Sequence, residues 1–189
     1  MFSLFITLFG IPLYEKINPT VSKLMMISLN NLKRCTLILV CIGLVGCSIS
    51  DKIIEQRAIS AELLQLEQII HHLVNQYRIC KNLPPLTTNE IITKQARIHS
   101  RAMAKKKITF SHDGFSRRVK RISRFLPYRM AAENVAYNKG YSNCAQKAVQ
   151  SWLKNTKHRK NIRGDYRLTG IGVAKNPEGV YSFTQVFWQ

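Results

Sequence analysis

The chain has 189 residues, 46% of them hydrophobic, and a formal net charge of +19. That length holds one well-buried domain with an appendage and is short for two, so a single core is expected. Without residues 1–46 the remainder still carries 25 Lys and Arg against 9 Asp and Glu, a net charge of +16, so the basic excess belongs to the folded part.

The N-terminal region reads as a targeting segment rather than as fold. Met1–Tyr14 is apolar and broken by Pro12, and polar residues follow from Glu15 to Lys23. Residues 1–24 are read as an over-long gene start, with an extra membrane segment as the alternative. A start at Met25 or Met26 gives a leader of ordinary length: Lys33-Arg34, an apolar run from Cys35 to Gly46, and the tetrad Leu44-Val45-Gly46-Cys47. A cationic stretch, about a dozen apolar residues and a small residue before the cut define a cleaved signal peptide. The run falls short of the ~20 apolar residues that a spanning helix needs. The tetrad resembles the bacterial lipobox, which implies that residues 25–46 are removed and Cys47 becomes the acylated N-terminus. Ser48, in place of Asp, then resembles sorting to an outer membrane where the host has one. Residues 47–60 are expected to be a tether.

The domain proper is expected over 61–189. Leu63, Leu66, Ile69, Ile70, Leu73 and Tyr77 recur at steps of three and four, which predicts an amphipathic helix from Ala61 to Ile79, closed by Leu83-Pro84-Pro85. Thr88 or Asn89 supplies an N-cap for a second helix running to about Lys105, with Ile92, Ala96, His99 and Met103 on one stripe. A basic third helix is predicted over Phe115–Phe125, stopped before Pro127. A short strand is expected at Asn134–Tyr137, and a fourth helix over Asn143–Lys154 turns Ala145, Ala148, Val149 and Trp152 inward. Thr169–Ala174 and Val180–Phe187 are β-rich runs joined by a turn at Lys175–Gly179, a hairpin signal. Helices followed by a hairpin predict an α+β fold with a small antiparallel sheet covered by helices.

Chemistry concentrates on His112, Glu133 and His158. Imidazoles bind divalent zinc or copper, and a carboxylate beside them can ligate, orient a ring or take a proton from bound water. Separations of 46 residues between the histidines and 21 from His112 to Glu133 are not a metal signature by themselves. His99, on the inner stripe of a helix, reads as a hydrogen-bonded core histidine, and His71 and His72, being adjacent, face different sides of theirs. Asn134 is expected to hold backbone around the cleft, and Trp152 to pack in the core. Cys80 and Cys144 allow one disulfide in an oxidising compartment, and two separate thiols fit the sequence equally well.

Asn75-Gln76-Tyr77-Arg78, Leu83-Pro84-Pro85-Leu86, Ala96 with His99, Ser111-His112, Glu133-Asn134-Val135, Trp152 with His158, Gly170-Ile171-Gly172-Val173 and Thr184-Gln185-Val186-Phe187 occur in that order. The ordered set resembles the CAP superfamily, or SCP domain, over about Leu64–Phe187. The resemblance implies a three-layer α-β-α sandwich and a central cleft in which His112 and His158 hold zinc or another divalent cation with Glu133 as the adjacent acid. Asn134 is expected to support that cleft, and Gln185, on a strand, can reach it, although alternation alone does not say which face Gln185 is on. The sequence departs from the fuller family pattern because no second Glu lies between His112 and Glu133. That stretch carries Arg117, Arg118, Lys120, Arg121, Arg124 and Arg129 instead, and Asp113 is the only spare acid.

Three functions are compatible with these residues. The first is an exported, lipid-anchored binding protein of the cell envelope, membrane-held through Cys47 and contacting an acidic wall polymer, anionic lipid or apolar ligand. The second is a metal-dependent hydrolase with Glu133 as its catalytic acid or base, for which the missing Glu leaves the ligand set incomplete. The third assigns binding to the basic surface at Lys105-Lys106-Lys107 and Arg117–Arg129, whose attraction for anions is screened by salt. Nucleic acid fits the charge, but no nucleic-acid module accompanies it and the leader directs the domain out of the cytosol.

Overall fold

The computed structural model describes residues 52–189. The expected leader, the lipidation site Cys47 and the question of the start codon all lie outside the described residues. Arg57–Gln189 forms one compact unit, and every residue of both hydrophobic clusters falls inside it, so this segment carries its own core. Among the described residues no helix is long and apolar enough to cross a membrane.

Helix α1 covers 52–79, so residues 52–60 are helical where a tether was expected. Neither Gly nor Pro interrupts that stretch, and Glu55, Gln56 and Ala58 favour helix. Asn75 and Arg78 explain the end of α1. The Asn75 side chain brackets the Leu86 backbone, accepting from its N–H at 2.8 Å and donating to its carbonyl at 3.0 Å. Arg78, fully buried, donates to the carbonyls of Pro84, Ile162, Gly164 and Tyr166. A buried guanidinium is tolerated because carbonyl acceptors replace its lost water. The two residues therefore staple α1 to the loop that follows it and to a segment more than 80 residues away.

Strand β1 (Thr87–Thr88) leads into α2 (Glu90–Ala104), whose first free amides, Ile91 and Ile92 N–H, are taken by the Asn89 side chain. Helix α3 covers Phe115–Ile122 and strand β2 Ala131–Lys139. Helices α4 (Cys144–Lys154) and α5 (Thr156–Arg163) precede β3 (Leu168–Lys175) and β4 (Val180–Trp188). Helix α5 was not foreseen as a separate element. Its only buried residue is Ile162, so it has no apolar stripe to announce it, and it starts on the Asn155 side chain, which caps Lys157 and His158 N–H.

The sheet order is β1-β3-β4-β2. β3 and β2 both run antiparallel to β4, whereas β1 pairs parallel with β3, so the expected antiparallel sheet is mixed. Side chains alternate along β4. Tyr181, Phe183 and Phe187 enter the large cluster with Leu66, Ile70 and Val74 of α1, Trp152 of α4 and Ile162 of α5. Val186 and Trp188 enter the small cluster with Ile92 and Ala96 of α2 and Val119 and Ile122 of α3. The sheet is thus the middle of three layers.

Gly170 and Gly172 account for how closely α2 lies on β3. A Cβ at Gly170 would run into the Thr93 backbone nitrogen, and one at Gly172 into that of Arg97, where neither side can swing away. At the other edge, β2 has no further strand beside it. Two of its outward carbonyls are taken by side chains instead: Glu133 O by Asn161 Nδ2 at 3.2 Å and Val135 O by Trp152 Nε1 at 2.9 Å. That capping blunts an edge that could otherwise pair with another chain.

Candidate functional site

The register of β2 decides which side chains meet. Glu133 stands opposite Val186 and so faces α2 and α3, whereas Asn134 stands opposite Gln185 and faces α4 and α5. Glu133 is buried, its side chain 1% exposed. It is held by three hydrogen bonds: from Arg118 Nε at 2.8 Å, Arg118 Nη2 at 2.7 Å and His112 Nδ1 at 3.0 Å. The fork of the guanidinium matches the carboxylate, the strong geometry for such a pair.

Arg118 does more than balance charge. Its Nη1 donates to Asp113 O at 2.9 Å and its Nη2 approaches His112 O at 3.4 Å, so it also fixes the loop that carries His112. Gly114 ends that loop at φ +77°, a left-handed conformation that glycine adopts without strain, and α3 begins on the next residue. Sequence reasoning placed Arg118 in the basic surface; it is an interior residue. The available signal was its spacing: it stands three residues after Phe115 and four before Ile122, on the apolar side of its helix.

His99 reaches the same loop from α2. It is buried, and its Nε2 lies 2.9 Å from Ser111 O, which only accepts, so Nε2 carries the proton and Nδ1 is bare. Burial first, then the Arg118 guanidinium, holds this imidazole below the ordinary histidine range.

His158 comes from α5. Asn134 ties it down by donating to the His158 carbonyl at 3.1 Å, and Asn161 donates to the Asn134 side-chain oxygen at 2.9 Å. The His158 ring stands 6.1 Å from the His112 ring, centroid to centroid, at an angle of 58°. Its pKa is lowered by burial and then by His112. The fold therefore brings His112, Glu133 and His158 together, with Asn134 supporting His158 from behind the strand.

Gln185 is not part of this cleft. It faces the opposite side of the sheet from Glu133, donating to Thr169 Oγ1 at 3.1 Å, with its own Oε1 buried and unpartnered by the protein. Alternation alone could not assign its face; the pairing of Gln185 with Asn134 does. Cys80 and Cys144 are free thiols, so the disulfide is not formed: Cys80 is exposed just past the end of α1, and Cys144 is buried in the large cluster at the start of α4.

Because Glu133 engages Nδ1 of His112, that ring presents Nε2 outward, and the side chain is 49% exposed. Among the described residues no group of three His, Cys, Asp or Glu side chains is placed to hold a metal ion. The donors present fit a cation only as a pair of imidazoles, with Glu133 orienting one of them from outside. Exposed Phe110 and Tyr137 pack edge to face at 4.8 Å, and Tyr137 lies on the same face of β2 as Glu133.

No curated protein sequence matches the chain. Among solved structures it is similar to an outer surface protein of Borrelia burgdorferi, at 18% identity and a TM-score of 0.57, over 66% of this chain and 92% of that one. It is similar also to an extracellular protein containing an SCP domain from Bacillus anthracis, at 27% identity and a TM-score of 0.60, over 69% of this chain and 42% of that one. A cysteine-rich secretory protein of Staphylococcus aureus gives 20% identity and a TM-score of 0.53, over 67% and 39%. The chain therefore spans nearly the whole of the first relative and about two fifths of the other two. Residues 71–188 match the CAP family, described as the cysteine-rich secretory protein family. Three layers, the ordered motifs and that match agree, and the chain belongs to the CAP family.

Proposed function

We propose that this CAP-domain protein is exported, held to a membrane by lipid on Cys47, and acts as a binding protein of the cell envelope. Support for export comes from the leader pattern at residues 25–46 and from relatives named as outer surface and extracellular proteins. The observation that favours binding over hydrolysis is the Arg118–Glu133 pair. A metal-dependent hydrolase needs a carboxylate free to take a proton from water. Glu133 is 1% exposed and already accepts three hydrogen bonds, so it positions His112 instead. If a divalent cation such as zinc binds, His112 Nε2 and the His158 imidazole hold it, and it supplies a Lewis-acid contact for a ligand donor in the cleft. Where the host has an outer membrane, Ser48 favours sorting to it.

Protein extracted from its own membranes tests both halves of this reading. Its intact mass is expected to show an N-terminus at Cys47 carrying diacylglycerol, and an unmodified Cys47 removes the anchor. The same preparation is expected to take up zinc weakly, and to lose that uptake in His112→Ala and His158→Ala. Uptake that survives both substitutions removes the cleft as the cation site.

A further inference from the structure

We infer that the surface formed by α3 and the loop after it docks on anionic phospholipid bilayers. Residues 115–130 contain six Lys and Arg and no Asp or Glu. Arg118 is turned inward, which leaves Arg117, Lys120, Arg121, Arg124 and Arg129 exposed. Exposed apolar side chains lie directly among them: Phe125 at 70%, Tyr128 at 46% and Met130 at 40%. A single exposed apolar side chain is ordinary on a solvated face, but three within six residues, set among five cations, are more than such a face needs. An interfacial surface does, because apolar side chains enter the acyl boundary while cations meet the phosphates.

The apolar tip is also held in shape before any partner arrives. Tyr128 packs on Trp188 with ring centroids 4.7 Å apart, and Trp188 Nε1 donates to Pro127 O at 3.1 Å. Phe125 and Leu126 N–H both bond Ile122 O, closing the end of α3. Beside the tip, a groove of about 490 Å³ runs between α3 and Tyr128, with Lys120 on its lip and the Ser116 and Ser123 side chains along it. Those are the groups a phosphate and its glycerol would meet, and Val119 and Ala131 add apolar lining.

Anionic lipid is chosen over a soluble or wall-bound polyanion because of Phe125. A polyanion needs only the cations, whereas a bilayer also removes that ring from water. The proposal relies on the envelope location for its partner and not on the lipid at Cys47, which the test leaves out.

Residues 57–189, which hold both hydrophobic clusters, are mixed with vesicles of phosphatidylcholine alone and of phosphatidylcholine with phosphatidylglycerol, and co-sedimentation is measured at low and high salt. Binding is expected only with phosphatidylglycerol and is weakened by salt. Charge reversal in Arg121→Glu with Arg124→Glu is expected to lower partitioning on the order of 100-fold. Phe125→Ala is expected to lower it about tenfold. Lys105→Glu with Lys107→Glu, on the other basic cluster, is expected to change it by less than about threefold if docking is local. Circular dichroism checks that each variant is folded.

Three results overturn the proposal. One is equal binding to neutral vesicles. Another is an effect of the Lys105 and Lys107 changes as large as that of the Arg121 and Arg124 changes, which would mean diffuse attraction by net charge. The third is Phe125→Ala binding as well as the parent while soluble polyphosphate displaces it fully, which assigns the surface to a polyanion.

Discussion

The two faces of the sheet share four strands and differ in what covers them. Under α1, α4 and α5 lies an almost wholly apolar cluster of large side chains, including Trp152, Phe183 and Phe187. Under α2 and α3 the apolar cluster is smaller, and buried polar groups fill the rest: Glu133 with Arg118, His99 on Ser111, and Ser100 Oγ, which donates to Gly172 O and shares a second hydrogen bond with the Thr184 hydroxyl, both at 2.8 Å. One face is held chiefly by apolar burial, with Arg78, Asn134 and Gln185 among its few buried polar groups. The other is stable only while each polar group keeps its partner, so there the bonds that hold the fold also set the cleft.

The largest effect is expected on the apolar face. Phe183→Ala empties a fully buried position and should lower unfolding free energy by ~3–5 kcal/mol in a urea titration. The imidazole NMR signals of His112 and His99 should barely move. Arg118→Leu should cost about 3 kcal/mol, the lower end for breaking a buried ion pair, because His112 still contacts the carboxylate. In contrast to the first variant, it should shift the His112 signals strongly, since the 112–113 carbonyls lose their donor. Arg118→Leu with Glu133→Leu should recover much of the stability without restoring the His112 signals. Equal signal changes in Phe183→Ala and Arg118→Leu would show that the faces are not separable.

The sequence made one face more legible than the other, for a physical reason. Burial leaves a period, and the stripe from Leu63 to Tyr77 and the inward set from Ala145 to Trp152 both lie under the apolar face. The N-cap Asn89 and the hairpin turn at Lys175–Gly179 are local chemistry and were equally readable. Gly-Ile-Gly was visible as a motif, but its cause, contact between α2 backbone and strand, needs the third dimension. On the polar face the signals are pairings between distant residues, which no period records. Arg118 was absorbed into a run of cations, and Gln185 needed the β2–β4 register to be assigned to the far side. His112 and His158, 46 residues apart, were joined by the family resemblance, and α5, with one buried residue, passed unnoticed.

The smallest effect is one of pH, and it tests whether the polar face has its own condition for stability. His99 is held below the ordinary histidine range by burial, with Arg118 and His112 adding to the effect and Glu133 and the bond to Ser111 O opposing it. Between its folded pKa and the unfolded value of ~6.5, the unfolded chain binds a proton that the folded one does not. Stability is therefore full above the unfolded value, falls as pH drops through that window, and stops falling once the folded protein itself is protonated. His158, lowered by burial and by His112, acts in the same direction. His99→Gln keeps a donor for Ser111 O but cannot titrate, so its unfolding midpoint should vary less with pH between about 7 and 5 than that of the parent, leaving the slope due to His158. An unchanged slope would mean that His99 takes up its proton as readily in the folded state as in the unfolded one, so that burial and the charge of Arg118 do not hold it down as its position implies.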